Sequence, residues 1–144
     1  MDLKLALRAD EVERLITGGF GADAPFFRVE ALEPCRVQVR MPFRKWMLRP
    51  GNTISGPALF TAADLAMYAL VLGHLGPQLM AVTSNLNLNF LAKGEASDIL
   101  AEAQMLKLGR KLAVMDVRLR CGRENLVLVA HATGSYSLPT PRPA

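Results

Sequence analysis

The sequence predicts an α+β domain in which a curled antiparallel sheet wraps around one long central helix. Three observations predict it. The stretch "SGPALFTAADLAMYALVLGHLG", residues 55–76, is apolar on nearly every side and bounded by helix start and stop residues. Four strand-like segments follow it, joined by short turns. A helix without a polar face must be covered on most sides, and a sheet does that only by curling around it.

Each element has its own justification. "RADEVERLIT", residues 8–17, sets Val12, Leu15 and Ile16 at helical spacing, with Asp10 as the expected N-cap; "GGFGADAP" then breaks the helix. "FFRVEALE" reads as a first strand. In "CRVQVRM", Cys35, Val37, Val39 and Met41 alternate with Arg36, Gln38 and Arg40, the pattern of a strand with one wet face. The loop "PFRKWMLRPGNTI" leads into the central helix, which Ser55 or Gly56 caps. Pro57 sits in its first turn, where a missing N–H is harmless, and "GHLGP" ends it. Beyond it, "MAVTSNLNLNFL" alternates Val82, Leu86, Leu88 and Phe90 with Thr83, Asn85, Asn87 and Asn89. "DILAEAQMLKL", "LAVMDVRLRC" and "NLVLVAHATGSYSL" complete a meander through the turns "GRK" and "GREN".

The 144 residues form one expected domain, 1–144, without repeats or low-complexity tracts; 51% are hydrophobic and 21% charged, a globular balance. The net charge of +4 is spread without a run or stripe of Lys and Arg, so the expectation is no nucleic-acid partner, while small anions remain compatible. Cys35 and Cys121 share no metal-ligand spacing and fall at apolar strand positions, which predicts buried free thiols and no metal. The N-terminus interrupts any apolar run with charges, so a cytoplasmic protein is expected. The long helix approaches membrane-spanning length, but a charge near its centre costs roughly 2.5–3.5 kcal/mol there, so no membrane span is expected.

That charge is Asp64. An unpaired carboxylate inside an apolar helix costs several kcal/mol, so it needs a partner or a job. It is either a structural carboxylate, a general base or nucleophile, or a ligand-binding acid without chemistry. The helix start offers free N–H groups and the positive end of the dipole, suited to a developing oxyanion. Gly56 and Asp64 are eight residues apart, about 12 Å along a helix, too far for one small reacting centre. Two copies of the chain can unite them, with Asp64 of one facing the helix start of the other.

The order of elements resembles the hotdog fold, and the local pattern is similar to acyl-CoA thioesterases of the phenylacetate-degradation (PaaI-like) family, over residues 25–138. That family shows Asn-x-x-Gly-x-x-His-Gly-Gly with an Asp nine residues after the His. Here Ser55 stands at the His position, Gly56 follows, and Asp64 falls nine residues on. Arg49 replaces the Asn, Asn52 the first Gly and Pro57 the last. The resemblance implies that Asp64 is the base or nucleophile. It also implies that the Gly56 N–H polarises the thioester carbonyl from the opposite subunit, and that Thr83 holds water or orients Asp64. Arg49 is then either a cationic clamp or a partner that silences Asp64, and Asn52 a replacement amide. No cofactor is implied beyond the coenzyme A of the substrate, and a homodimer or dimer of dimers is expected.

Other residues keep two readings. Lys107, Arg110 and Lys111 are a solvated turn or a phosphate clamp for coenzyme A. Tyr68, one turn past Asp64, packs the core or lines the acyl pocket. Trp46 covers a channel or anchors a surface loop. His74 is expected to be structural, its place near the helix C-terminus favouring a cation; His131 has no partner at motif spacing, and the Asn85, Asn87 and Asn89 row is a polar sheet face. The functional expectation is acyl-CoA hydrolysis. The alternatives are a non-catalytic acyl-CoA binding or sensing module and, lacking a His by the helix start, less readily a dehydratase.

Overall fold

The computed structural model describes residues 3–139; residues 1–2 and 140–144, the ends of the expected domain, lie outside them. The chain runs α1 (Ala9–Gly19), β1 (Arg28–Glu33), β2 (Arg36–Met41), a 3₁₀ turn (Lys45–Met47), β3 (Leu48–Arg49), β4 (Thr53–Ile54), α2 (Gly56–Leu75), β5 (Val82–Phe90), β6 (Ile99–Leu108), β7 (Leu112–Cys121) and β8 (Val127–Ser137). Six strands form one antiparallel sheet in the order β1-β2-β6-β7-β8-β5, and β3-β4 form a small hairpin. The large sheet curls around α2 in the hotdog arrangement.

Small side chains allow that embrace. Ala62, Ala63, Ala66 and Ala69 of α2 are fully buried, as are Ala101, Ala103, Ala113, Ala130 and Ala132 of the sheet. At Gly134 of β8, a Cβ atom would lie 2.7 Å from Met67 Sδ and 2.8 Å from the Asn85 carbonyl oxygen, so only glycine lets sheet and helix approach this closely. The Ser55 hydroxyl accepts the Ala58 N–H at 3.2 Å to cap α2, and Gly76 closes it at φ 85°. Although α2 is long and apolar enough to cross a membrane, most of its surface is buried inside the sheet.

Several expectations need correction. The N-cap of α1 is Arg8, not Asp10: Asp10 lies inside the first turn and pairs with Arg8 and Arg14 on the surface. Cys121 is buried, but Cys35 is half-exposed because it occupies the turn between β1 and β2 at φ 69°, after Pro34. The strands after α2 are not a simple meander either. β6, β7 and β8 follow one another, while β5 pairs with β8 at the far edge. The chain returns to β6 through residues 91–98, held at the start of α2 by the Ile54 N–H to Gly94 carbonyl bond and the Thr53–Glu95 bridge. His74 is structural, as expected, but not as a helix-end cation. Its Nε2 accepts the Cys35 N–H at 3.1 Å and its Nδ1 lies 3.1 Å from the Leu70 carbonyl, which requires the neutral Nδ1–H tautomer.

Candidate active site

Asp64 is held by a cross-strand pair. Thr83 of β5 lies opposite Tyr136 of β8, and both side chains face α2. Thr83 Oγ1 donates to Asp64 Oδ1 at 2.7 Å and Tyr136 Oη donates to the same oxygen at 2.6 Å. The Tyr136 hydroxyl also lies 3.2 Å from the Asp64 main-chain carbonyl. Burial, and then the Asp64 charge, push the Tyr136 phenol far above its ordinary value, so it remains a proton donor across the working range. No donor among the described residues reaches Asp64 Oδ2, and that oxygen is not sealed from solvent.

A β-bulge makes the Thr83 contact possible. Strict alternation puts Thr83 on the outer face with Asn85, Asn87 and Asn89, but the register of β5 shifts between Thr83 and Asn85. The extra residue, Ser84, turns Thr83 inward while Leu86 and Leu88 keep facing the helix. The three asparagines stay on the exposed outer face, as expected.

Beside Asp64 lies an open cleft of about 510 Å³ whose walls include Phe20, Phe26, Phe60, Tyr68 and Tyr136. Phe20 and Phe26 come from the segment after α1 and meet edge to face at 6.0 Å. Tyr68 stacks on Tyr136 with ring centroids 5.8 Å apart and donates to the Leu79 carbonyl at 2.7 Å, so it both packs and lines the cleft. Burial raises its phenol as well.

The helix start opens on a different cleft, about 490 Å³, lined by Arg49, Gly56, Phe90 and Lys93 among others. Its donor supply is narrow. Pro57 has no N–H, Ser55 Oγ takes that of Ala58, and the Ser55 carbonyl takes that of Leu59. Among the described residues, the Gly56 N–H alone in this first turn lacks a partner within the chain. Arg49 makes no ion pair with Asp64; it is exposed on β3 and faces this second cleft. Asn52 follows the Pro50-Gly51 turn at φ 58°, a turn role sufficient to explain the residue, and it lines neither cleft. The Ser55 hydroxyl accepts the Ala58 N–H as the helix cap, which leaves its own O–H free to donate.

Arg110 and Lys111 flank a third cleft, about 780 Å³, with Leu75 and Gln78, whereas Lys107 is exposed outside its lining. Leu75 is eleven residues beyond Asp64 on α2, about 16 Å at the helical rise. His131 pairs with Asp116 at 3.1 Å on the outer sheet face, a contact missed by motif spacing. Trp46 is exposed and lines none of these clefts. Tyr136 is the Asp64 partner that no sequence motif pointed to. The available signal was its place in the inward series Ala130, Ala132, Gly134, Tyr136, where one large polar-tipped residue follows small ones.

Comparison with known proteins fits this geometry. A family model described as Thioesterase superfamily matches residues 51–128, the span from the β3–β4 turn to the first residues of β8. This chain belongs to the thioesterase superfamily. Among solved structures, a "putative thioesterase" from Silicibacter sp. TM1040 is 38% identical, covers 95% of each chain and superposes with a TM-score of 0.85. Zebra fish thioesterase superfamily member 2 shares the fold at 21% identity and a TM-score of 0.78, covering 93% of this chain and 100% of its own. A mutant of the phenylacetic acid degradation protein PaaI from Thermus thermophilus shares it at 24% identity and a TM-score of 0.66, over 78% and 93%. The superfamily membership makes the chain a hydrolase of the thioesterase kind, with Asp64 in a PaaI-like hotdog scaffold.

Proposed function

We propose that this chain hydrolyses acyl-CoA thioesters to the free acid and coenzyme A, as a homodimer in which each site is shared between two copies. One observation carries the reading: Asp64 with its open Oδ2 and the free Gly56 N–H lie in separate clefts of one chain. A second copy supplies the missing half. β5 is a nine-residue edge strand whose ends are exposed, Val82 by 59% and Phe90 by 62%. Such an edge invites pairing with its own twin. Antiparallel pairing about its midpoint sets the Thr83 end of one copy beside the Phe90 end of the other. Thr83 touches Asp64, and Phe90 lies against Gly56, 3.4 Å from where a Cβ would stand.

In the reaction, the Gly56 N–H of one copy donates to the thioester carbonyl oxygen as it gains charge, aided by the helix dipole. Asp64 of the other copy either takes a proton from water, which adds to the carbonyl carbon, or adds there itself. Collapse of the tetrahedral species breaks the C–S bond and the thiolate leaves. In the first route the protonated Asp64 returns its proton to the sulfur. In the second a mixed anhydride with Asp64 remains, which water hydrolyses to the free acid and the regenerated carboxylate while the thiolate takes its proton from water. By either route one water is consumed. The acyl group fits the aromatic cleft, Arg49 lies near the oxyanion end, and Arg110 and Lys111 suit the phosphates of coenzyme A. The free thiols suit the cytoplasm, and further pairing of dimers follows the family resemblance.

Asp64→Asn keeps the shape and removes the basicity. Thiol release from a panel of acyl-CoA substrates is expected to fall at least about 10³-fold with assembly intact; full activity in that variant would falsify the assignment. Ser55 standing as a helix cap where the family has a motif His, with Arg49 in place of the motif Asn, favours one second reading, an acyl-CoA sensor. Calorimetric binding of a non-hydrolysable acyl-CoA, with no thiol release across the panel, would establish the sensor instead.

A further inference from the structure

We propose that Tyr136 is a positioning residue that, with Thr83, assigns the two carboxylate oxygens of Asp64 to different tasks: Oδ1 is the anchor and Oδ2 the reacting atom. The inference rests on the hydrolytic reading above and goes beyond it by naming the oxygen and the group that selects it.

A carboxylate offers about four lone-pair positions, two per oxygen. Two O–H donors at 2.6 and 2.7 Å converge on Oδ1 and fill it. Both come from the sheet, whereas Asp64 rides on the helix, so the side chain is tied across the interface and its torsions are fixed. Oδ2 takes no hydrogen bond from the described residues and is not sealed from solvent, and Asp64 borders the aromatic cleft. The clamp is itself braced. Tyr136 is 3% exposed, its ring stacks on Tyr68, and Tyr68 is anchored through its own hydroxyl to the Leu79 carbonyl. Because Tyr136 holds its proton firmly, it donates to Asp64 and does not compete for the proton that Asp64 must accept. Fixing the reacting oxygen matters because a misplacement of about 1 Å can cost 100-fold in rate.

Tyr136→Phe preserves the ring and the stack and deletes one donor. The expected result is a kcat about 10-fold lower, with KM and the affinity for a non-hydrolysable acyl-CoA within about twofold of wild type. Adding Thr83→Val removes the second donor from the same oxygen. The double variant should lose more than the product of the two single losses, because one remaining donor still restrains the loosened carboxylate and the double variant leaves Oδ1 none. A merely structural Tyr136 would change the amount of folded enzyme or KM and leave kcat per folded site alone; that result overturns the proposal, as does a double variant whose losses simply multiply. If Tyr136→Phe does not bind the analogue, the split is read from enzyme carrying 3-fluorotyrosine at 136, where kcat must change at constant KM. Asp64→Asn separates the levels: if it stays active the assignment of Asp64 as base or nucleophile fails and the clamp with it, whereas an inactive Asp64→Asn beside an unaffected Tyr136→Phe sinks only the clamp.

Discussion

On the flank wrapped by the sheet, α2 carries Ala62, Ala63, Ala66, Met67 and Leu70, all fully buried; on the other it carries Pro57, Phe60, Thr61, Asp64 and Tyr68, each at least half-exposed or bordering a cleft. The wrapped flank has small residues wherever the sheet comes close and no polar atom to satisfy. The open flank holds the one carboxylate of the helix, and near its start the one free N–H. Stability and chemistry are thereby separated on a single helix. Substitutions on the two flanks should fail in different assays.

After Asp64→Asn itself, the largest effect in the open region is expected from Gly56→Pro. Proline suits the first helical position, and Ser55 already has the extended ψ of 156° that a following proline needs, so the change deletes the N–H with little else. Loss of one oxyanion donor should lower kcat about 10²–10³-fold, read by thiol release, with a thermal midpoint close to wild type. An active Gly56→Pro would remove the helix start from the chemistry.

The converse test is Gly134→Ala on the wrapped side. The new methyl meets Met67 and the Asn85 carbonyl, and overpacking of this kind costs about 1–3 kcal/mol. The thermal midpoint should fall by roughly 3–10 °C while activity per folded molecule stays constant. A large fall in kcat without loss of stability would blur the division.

The smallest effect concerns pH. Burial raises the Cys121 thiol from 9.0 to about 11. Between those values the folded state binds more protons than the unfolded one, so the contribution is whole below pH 9 and is lost as pH rises through about 11. It amounts to about 2 kcal/mol. Urea midpoints measured from about pH 8 to 11 should decline more steeply in wild type than in Cys121→Val; parallel curves would remove the thiol from the account.

The wrapped flank was far more legible in the sequence than the open one. Predominant apolarity from Ala58 to Leu75, the Ser55–Pro57 start and the Gly76 stop specify the helix locally, and the Cys35–Met41 alternation specifies β2 apart from its first residue. Asp64 stood out because it broke the local rule. Of its partners, Thr83 was suggested only through the family resemblance and Tyr136 not at all, because both contacts depend on pairing between distant segments. Thr83 reaches Asp64 through a bulge that alternation alone contradicts, and Tyr136 arrives from a strand 72 residues away. The position of β5 at the sheet edge is likewise set by contacts with β8 that no local pattern encodes. The Ser55 hydroxyl illustrates the local case: its place before Pro57 was enough to predict the helix cap, which it provides by accepting the Ala58 N–H.

A two-copy site is tested most directly by mixing two disabled chains. Asp64→Asn and Gly56→Pro homodimers, each with little thioesterase activity, are unfolded together in equal amounts and refolded. Random pairing makes about half the dimers mixed, and each mixed dimer holds one intact and one doubly damaged site. The shared site predicts recovery of about one quarter of wild-type activity; a mixture as inactive as its parents, with mixed dimers demonstrably formed, would contradict it.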